Sequence, residues 1–384
     1  MDKFKGSVTA RQACAAVATG VRDVHPRADV VQRPIADGGD GTLEMLLATG
    51  YQPRTVACHG VIGEPRSAQV ALSGGQVFIE LAAVCGLQLL GPVRREPWCA
   101  SSFGLGSAIR SALDLGAQEV ILGLGGSASS DGGLGMLVAL GAGVKDGSSQ
   151  LVSPDTRGVL TAEDLDLSTI DRRLRNVGFI ALADVRSPLS GPEGAASVYG
   201  PQKGVPSTEV TRLDHALRRW GALLSVRSGR SVDMPGAGAA GGIGAAVLAL
   251  GGSVIPGAGY LLDRIAIDQI LERADLAVTG EGSWDAQSWQ GKAPAELLKR
   301  ASRLNVPAAL VAGRIEGTSR PTQVLGSYSL TDLARDEQTS MMQAARLLRR
   351  IGSEIGRKHL GPKARPNTPN GRAVMDCEPE ASAG

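Results

Sequence analysis

Histidine is scarce in this chain, with four in 384 residues, and His25, His59, His215 and His359 share no metal-ligand spacing. None sits in a glycine-rich loop, so a histidine-based mechanism is not expected. The five cysteines (Cys14, Cys58, Cys85, Cys99 and Cys377) are scattered, odd in number and form no CxxC pair. They read as free thiols of a reducing compartment, with neither disulfide framework nor zinc site. Charge of one sign is not in excess: 40 basic against 38 acidic residues give a net +2. That balance offers no field for nucleic acid or an anionic membrane. No apolar run reaches 18 residues, so no membrane span is expected, and no signal peptide is read at the start. A G-x-x-x-x-G-K-[ST] loop is absent too, which excludes a P-loop enzyme.

Glycine is abundant instead, at 52 residues, about twice the usual share. It falls in clusters without a collagen period. Hydrophobic residues at 43% and a mean hydropathy of +0.01 describe a globular chain, and its length favours two domains.

The stretch EVILGLGGSASSDGGLGMLVA, residues 119–139, centres the reading. A short apolar strand enters a loop of Gly125, Gly126, Ser127, Ala128, Ser129 and Ser130. Asp131, Gly132 and Gly133 follow, then apolar residues at helical spacing. Glycines let backbone N–H groups approach a ligand, and a helix start carries positive potential, so such a loop can cradle phosphate. A tight turn in a packed core is the plain alternative. Gly123, Gly125 and Ala128 also satisfy G-x-G-x-x-A, and Gly236, Gly238 and Gly241 satisfy G-x-G-x-x-G. In the first, Asp131 would repel a bound pyrophosphate, and no strand ending in an acid follows about twenty residues on. The second follows only a weak strand signal.

Elsewhere, Ser7 or Thr9 can cap a helix bearing Ala13, Ala16, Val17 and Val21. Residues 28–35 read as a strand leading into Asp37 and a Gly38-Gly39-Asp40-Gly41 turn. Residues 55–90 read as short strands, and 146–172 as a polar surface excursion. A buried strand at 177–183 ends in Asp184. Leu213, Leu217 and Trp220 mark one helix face. Further strands are expected at 275–279, 307–312 and 326–330, and an amphipathic helix at 340–355. The recurring pattern is an apolar strand that ends in an acid or a glycine turn: Asp37, the turn before Asp131, Asp184, Glu281. Lys5, Lys203 and Lys292 lie beside glycines. Each alone is an ordinary cap or surface residue. Together, acids, lysines and exposed amides suit phosphoryl transfer, in which Mg²⁺ takes one or two carboxylates and lysines neutralise charge.

At these residues the chain resembles the bacterial glycerate kinase family. The matching motifs are Asp2-Lys3-Phe4-Lys5-Gly6-Ser7; Ala36-Asp37-Gly38-Gly39-Asp40-Gly41-Thr42; Gly125-Gly126-Ser127-Ala128 with Asp131-Gly132-Gly133; Asp184 with Pro188-Leu189; Gly200-Pro201-Gln202-Lys203-Gly204; Pro235-Gly236-Ala237-Gly238-Ala239-Ala240-Gly241-Gly242; and Thr279-Gly280-Glu281-Gly282 with Asp285, Gln287, Gly291 and Lys292. They keep the family's order. The resemblance implies an α/β fold of two domains. One is Rossmann-like with a parallel sheet, from residues 1–54 and 256–358. The other, 55–255, is a mixed α/β domain inserted into it, and 361–384 form a disordered tail. It implies a cytoplasmic enzyme that phosphorylates D-glycerate with ATP and Mg²⁺, usually at the 2-hydroxyl. Neither nucleic acid nor membrane is a partner, and a homodimer is the assembly to test.

On that resemblance Asp184, Lys203 and Asp37 are assigned to catalysis. Lys5, Ser7, Gly38, Gly39, Gly125, Gly126, Ser127, Gly236, Gly238 and Lys292 are assigned to nucleotide binding, and Glu281 and Asp285 to the metal. A kinase of another small sugar acid, an NAD-linked oxidoreductase and a catalytically impaired nucleotide-binding relative stay open. The chain departs from the family at Ser107, Ser130 and Trp284. It also departs at Met1, where an apolar strand and Ala-Pro usually precede Asp2, so either the start lies upstream or this form lacks a strand of the first sheet.

Overall fold

In the computed structural model, residues 1–91, 96–316, 321, 323–334 and 336–360 are described, and the tail expected at 361–384 lies outside them, with Cys377. The strands, in chain order, are β1 (Gln52–His59), β2 (Pro65–Ser73), β3 (Gln76–Glu80), β4 (Glu119–Gly123), β5 (Gly143–Lys145), β6 (Asp164–Asp166), β7 (Gly178–Leu182), β8 (Ser253–Ile255), β9 (Ala277–Trp284), β10 (Ala308–Ile315) and β11 (Gly326–Ser329). Six of them form one sheet in the order β1-β2-β3-β4-β7-β8. Its first three strands are antiparallel; β3, β4, β7 and β8 run parallel. A second sheet, β11-β10-β9, is wholly parallel, and β5 pairs with β6 as a small separate ribbon.

The sheets read as apolar runs because both faces are covered. Val77, Ile79, Val120 and Leu122 point into one core with Leu105, Leu217 and Ile243. Their alternates Phe78, Ile121 and Leu182 point into another, with Ile35, Leu261, Leu298 and Leu310. Thus the helices Gly257–Arg264 and Ala293–Arg303 fill the space between the two sheets. On the far side of β10, Ala309 and Val311 meet Val17, Leu348 and Ile351. There the helices Ala10–Val24 and Ala344–His359 approach closely. A Cβ on Gly20 would lie 1.9 Å from the Arg349 carbonyl oxygen, so no larger residue fits that crossing. Thr9 starts the first of these helices through a capping box with Gln12. Leu213, Leu217 and Trp220 do form the buried face of the helix Val210–Ser228, and Trp220 Nε1 donates to the Gly132 carbonyl.

The segment 28–35 differs from expectation: it carries no ladder and belongs to no strand. The Ile35 amide donates to the Met1 carbonyl, and the Asp2 amide donates to the Gly280 carbonyl. The Met1 amino group also donates to the Arg33 carbonyl, so residues 1–2 link this segment to β9 with two bonds on its side and one on the other, too few to define a strand. Residues 146–172 also hold more structure than a polar excursion, namely β6 and the helix Thr156–Thr161, N-capped by Asp155.

Candidate active site

At the β9 edge of the second sheet, two neighbouring segments send their connections to opposite faces. From residues 1–4 the chain passes to the helix Ala10–Val24, which packs in the core with Leu348 and Ile351. From β9 it passes to the helix Ala293–Arg303, which packs between the sheets. Such a divergence opens a crevice at the carboxyl ends of the strands, where α/β proteins bind ligands. Asp2 and Glu281 lie at that divergence, and Asp37 follows the segment 28–36 beside them. The first sheet brings its own carboxyl ends to the same place. Gly38, at φ +99°, sits so near Leu182 at the end of β7 that a Cβ would come within 2.7 Å of the leucine Cβ. A Cβ on Gly125, just beyond β4, would lie 2.6 Å from Gly39 Cα. Asp184, two residues past β7, thereby meets Asp37.

The resulting cluster is electrostatically crowded. The protein packed around Asp184 raises its carboxyl above the ordinary range, and the facing charge and hydrogen bond of Asp37, then the charge of Asp2, add to that; Lys292 opposes it. The side chain itself is exposed, and the neighbouring carboxylates act on it directly. Asp2 is buried and pushed up to about 7, by burial first and by Asp37 next, although the Lys3 amide donates to it at 2.6 Å. Burial likewise raises Glu281, with Ser288 and Lys292 opposing. Partial burial works against the Lys292 ammonium, yet Glu281, Asp285 and Asp37 outweigh it and raise its pKa. Lys292 Nζ lies 3.0 Å from Glu281 Oε2. The 37–41 turn is pinned from both sides: Lys3 ion-pairs with Asp40, and the Glu80 carboxylate accepts from the Leu43 and Gly41 amides.

The structure thus brings Asp37, Asp184, Glu281 and Lys292 together, with Gly38, Gly39 and Gly125 forming the wall. Among the described residues, the amides of Gly125, Gly126 and Ser127 donate to no protein acceptor, which leaves them for an anion. The Ser127 hydroxyl is spent on the Ala240 carbonyl at 3.1 Å. Lys203 is elsewhere. Its ammonium is buried, donates to the Ser129 carbonyl at 2.5 Å, and is pulled down to about 8 by burial, against the charges of Asp131 and Cys85. It fastens the 125–133 loop through Ser129 rather than facing the cluster of Asp37 and Asp184, while the Gly132 amide joins that loop to the Gly241 carbonyl. Gly236 and Gly238 serve packing as well: Gly238 donates to the Ser187 carbonyl, and a Cβ there would strike the Pro188 carbonyl. Lys5 is exposed, and the Ser7 hydroxyl donates to the Met341 carbonyl.

Asp131 is fully buried and accepts from Ser102, Gly133 and Gly135. It fills the helix start that a dinucleotide pyrophosphate would need. Asp2, Lys3 and Glu80 were not assigned roles by sequence reasoning. Asp2 and Lys3 stood in the first motif, but only the fold reveals that Asp2 faces two distant acids.

Among the described residues, no three carboxylate, imidazole or thiol groups converge as a metal cage. Glu281 still suits a hard cation, because its Oε1 is buried without a hydrogen-bond partner while Oε2 holds Lys292. Mg²⁺ commonly takes one or two carboxylates and completes its shell with water and phosphate oxygens. Asp285 is largely occupied otherwise, as its Oδ1 caps the turn Ala286–Gln290 through the Gln287 and Ser288 amides.

Residues 1–360 match the model of the glycerate kinase family. Glycerate kinase of Bacillus subtilis is 35% identical over 92% of this chain and 95% of its own length. Glycerate 2-kinase of Escherichia coli is 36% identical over 82% of this chain and 84% of its own. A crystal structure of the protein assigned as glycerate kinase 2 of Salmonella typhimurium LT2 superposes with a TM-score of 0.81 at 34% identity, covering 95% of this chain and 98% of that one. This chain belongs to the glycerate kinase family.

Proposed function

We propose that the chain phosphorylates D-glycerate with ATP, at the 2-hydroxyl, in glycerate catabolism. The observation that carries the reading is the convergence of Asp184 and Asp37 where the carboxyl ends of the two sheets meet, with Gly38 packed on Leu182 and Gly125 on Gly39. A carboxyl raised above its ordinary range is a stronger base once ionised, which suits it to take a hydroxyl proton. In the step, the 2-oxygen bonds to the terminal phosphorus, the bond from that phosphorus to its bridging oxygen breaks, and the hydroxyl proton passes to Asp184. Asp37 orients Asp184. Lys292 offsets negative charge on the transferring group, and the 125–127 amides hold an anionic group of either substrate. Mg²⁺, held by Glu281, would neutralise phosphate charge when bound. Lys203 acts by fixing the loop that carries those amides.

The site lies between two units, residues 1–54 with 256–358 and residues 55–255. The confinement of β1–β8 to residues 52–255 supports that division. The test is ADP release with ATP, Mg²⁺ and D-glycerate, run beside L-glycerate and other small sugar acids. Turnover with D-glycerate foremost supports the proposal; turnover only with another acid, or none from folded protein, overturns it.

A further inference from the structure

A cleft of about 690 Å³ is lined by Gly6, Ser7, Glu337, Gln338, Met341 and Met342, just after the N-terminal segment that passes Gly282 of β9. Its position is fixed by short links. The Lys5 amide nitrogen lies where a Cβ on Gly282 would come within 3.1 Å, one residue from Glu281. From Lys5 the chain turns tightly, with the Ser7 amide donating to the Phe4 carbonyl. Gly6, at φ +76°, comes so near Met341 that a Cβ would lie 3.0 Å from its Cε, and Ser7 Oγ donates to the Met341 carbonyl. The opposite wall, the helix Glu337–Met342, is capped by Asp336 through the Thr339 amide. Both walls are therefore set before any ligand arrives.

The lining selects its occupant. Met341 is 41% exposed and Met342 72% exposed, so neither serves a core. Thioethers are polarisable and pack well on aromatic rings. The polar members are a carboxylate, an amide and the Ser7 hydroxyl, which is spent on the Met341 carbonyl, with no cation among the described lining residues. Glu337 would repel a phosphate or carboxylate there, while accepting readily from an amino group. The cleft volume lies within the range of small-ligand pockets, roughly 300–1,000 Å³. A neutral, flat ring bearing an exocyclic amine fits; the anionic part of the same molecule would extend past Lys5 towards Lys292.

We propose that this cleft seats the aminopurine base of the phosphoryl donor, with Met341 and Met342 against the ring and Glu337 or Gln338 at its amino edge. This rests on the reading of the chain as an ATP-dependent kinase. The probe is 8-azido-ATP, photolysed on the full chain and mapped by peptide mass, with ATP affinity measured calorimetrically without glycerate. Label should fall on the peptide carrying residues 337–342, and Met342→Asp, a change at an exposed position, should weaken ATP at least about tenfold. The KM for D-glycerate should stay unchanged. Label on another peptide, or unaltered ATP affinity in folded Met342→Asp, overturns the proposal even where the wild type phosphorylates glycerate. Label at 337–342 in a chain that fails to phosphorylate glycerate upholds the cleft and overturns the parent reading instead. A wild type that neither binds ATP nor is labelled overturns both.

Discussion

Lys292 and Glu281 meet at 3.0 Å across the turn that leaves β9, and the second carboxylate oxygen of Glu281 is buried with no hydrogen-bond partner. An orphaned buried oxygen costs free energy unless something arrives to use it. Glu281→Gln keeps the shape and removes the charge. It should raise the Mg²⁺ concentration for half-maximal rate at least about tenfold, since Mg²⁺ relies on few carboxylates. An unaltered Mg²⁺ titration would show that Glu281 serves only its lysine.

Asp184→Asn removes the proposed base. The turnover rate should fall by about 10²–10⁴, the usual weight of general-base assistance. Stability should move the other way. Asp184 titrates higher in the folded chain than unfolded, so its stabilising contribution belongs to low pH and is lost as pH rises above 3.8. Asparagine ends that loss, and the melting temperature at pH 7.5 should hold or rise. A large fall in melting temperature with activity retained would contradict both parts.

Asp37→Asn addresses the pair itself. Burial raises Asp184 first, and the Asp37 charge is the next cause. Removing that charge should lower the pKa of Asp184, so the acidic limb of the kcat/KM profile should shift to lower pH whatever the residual rate. A limb that stays in place would mean that the two carboxyls titrate independently.

The pattern of apolar strands ending in acids was legible along the chain: Asp37, Asp184 and Glu281 each follow or end such a run. Their meeting was not legible, because it depends on two sheets placing carboxyl ends together through contacts such as Gly38 with Leu182 and Gly125 with Gly39. Lysines beside glycines looked alike in sequence. Only burial separates Lys203, sealed against Ser129, from Lys292, turned to Glu281. The segment 28–35 carried strand composition but makes only two bonds to Met1, which do not extend into a ladder. Gly238 stood in a glycine-rich motif assigned to nucleotide binding; in the fold it serves close packing, since a Cβ there would lie 2.1 Å from the Pro188 carbonyl oxygen.

Asp2 offers a cleaner stability measurement, being buried and raised to about 7 from 3.8. Between those values the unfolded chain releases a proton that the folded chain keeps, so stability falls as pH rises, by at most about 1.4 kcal/mol per pH unit. Denaturant melts of wild type and Asp2→Asn across pH 4 to 8 should diverge, with the variant gaining on wild type as pH rises. Parallel curves would place Asp2 outside the charged cluster.

The most direct measurement is the identity of the product. Full-length protein with ATP, Mg²⁺ and D-glycerate should give 2-phosphoglycerate, distinguished from its 3-isomer by the phosphorus–proton coupling pattern in the ³¹P spectrum. Accumulation of 3-phosphoglycerate, or ADP release that leaves glycerate unmodified, would contradict the proposal that the crevice between Asp184 and Lys292 presents the 2-hydroxyl to the transferring phosphate.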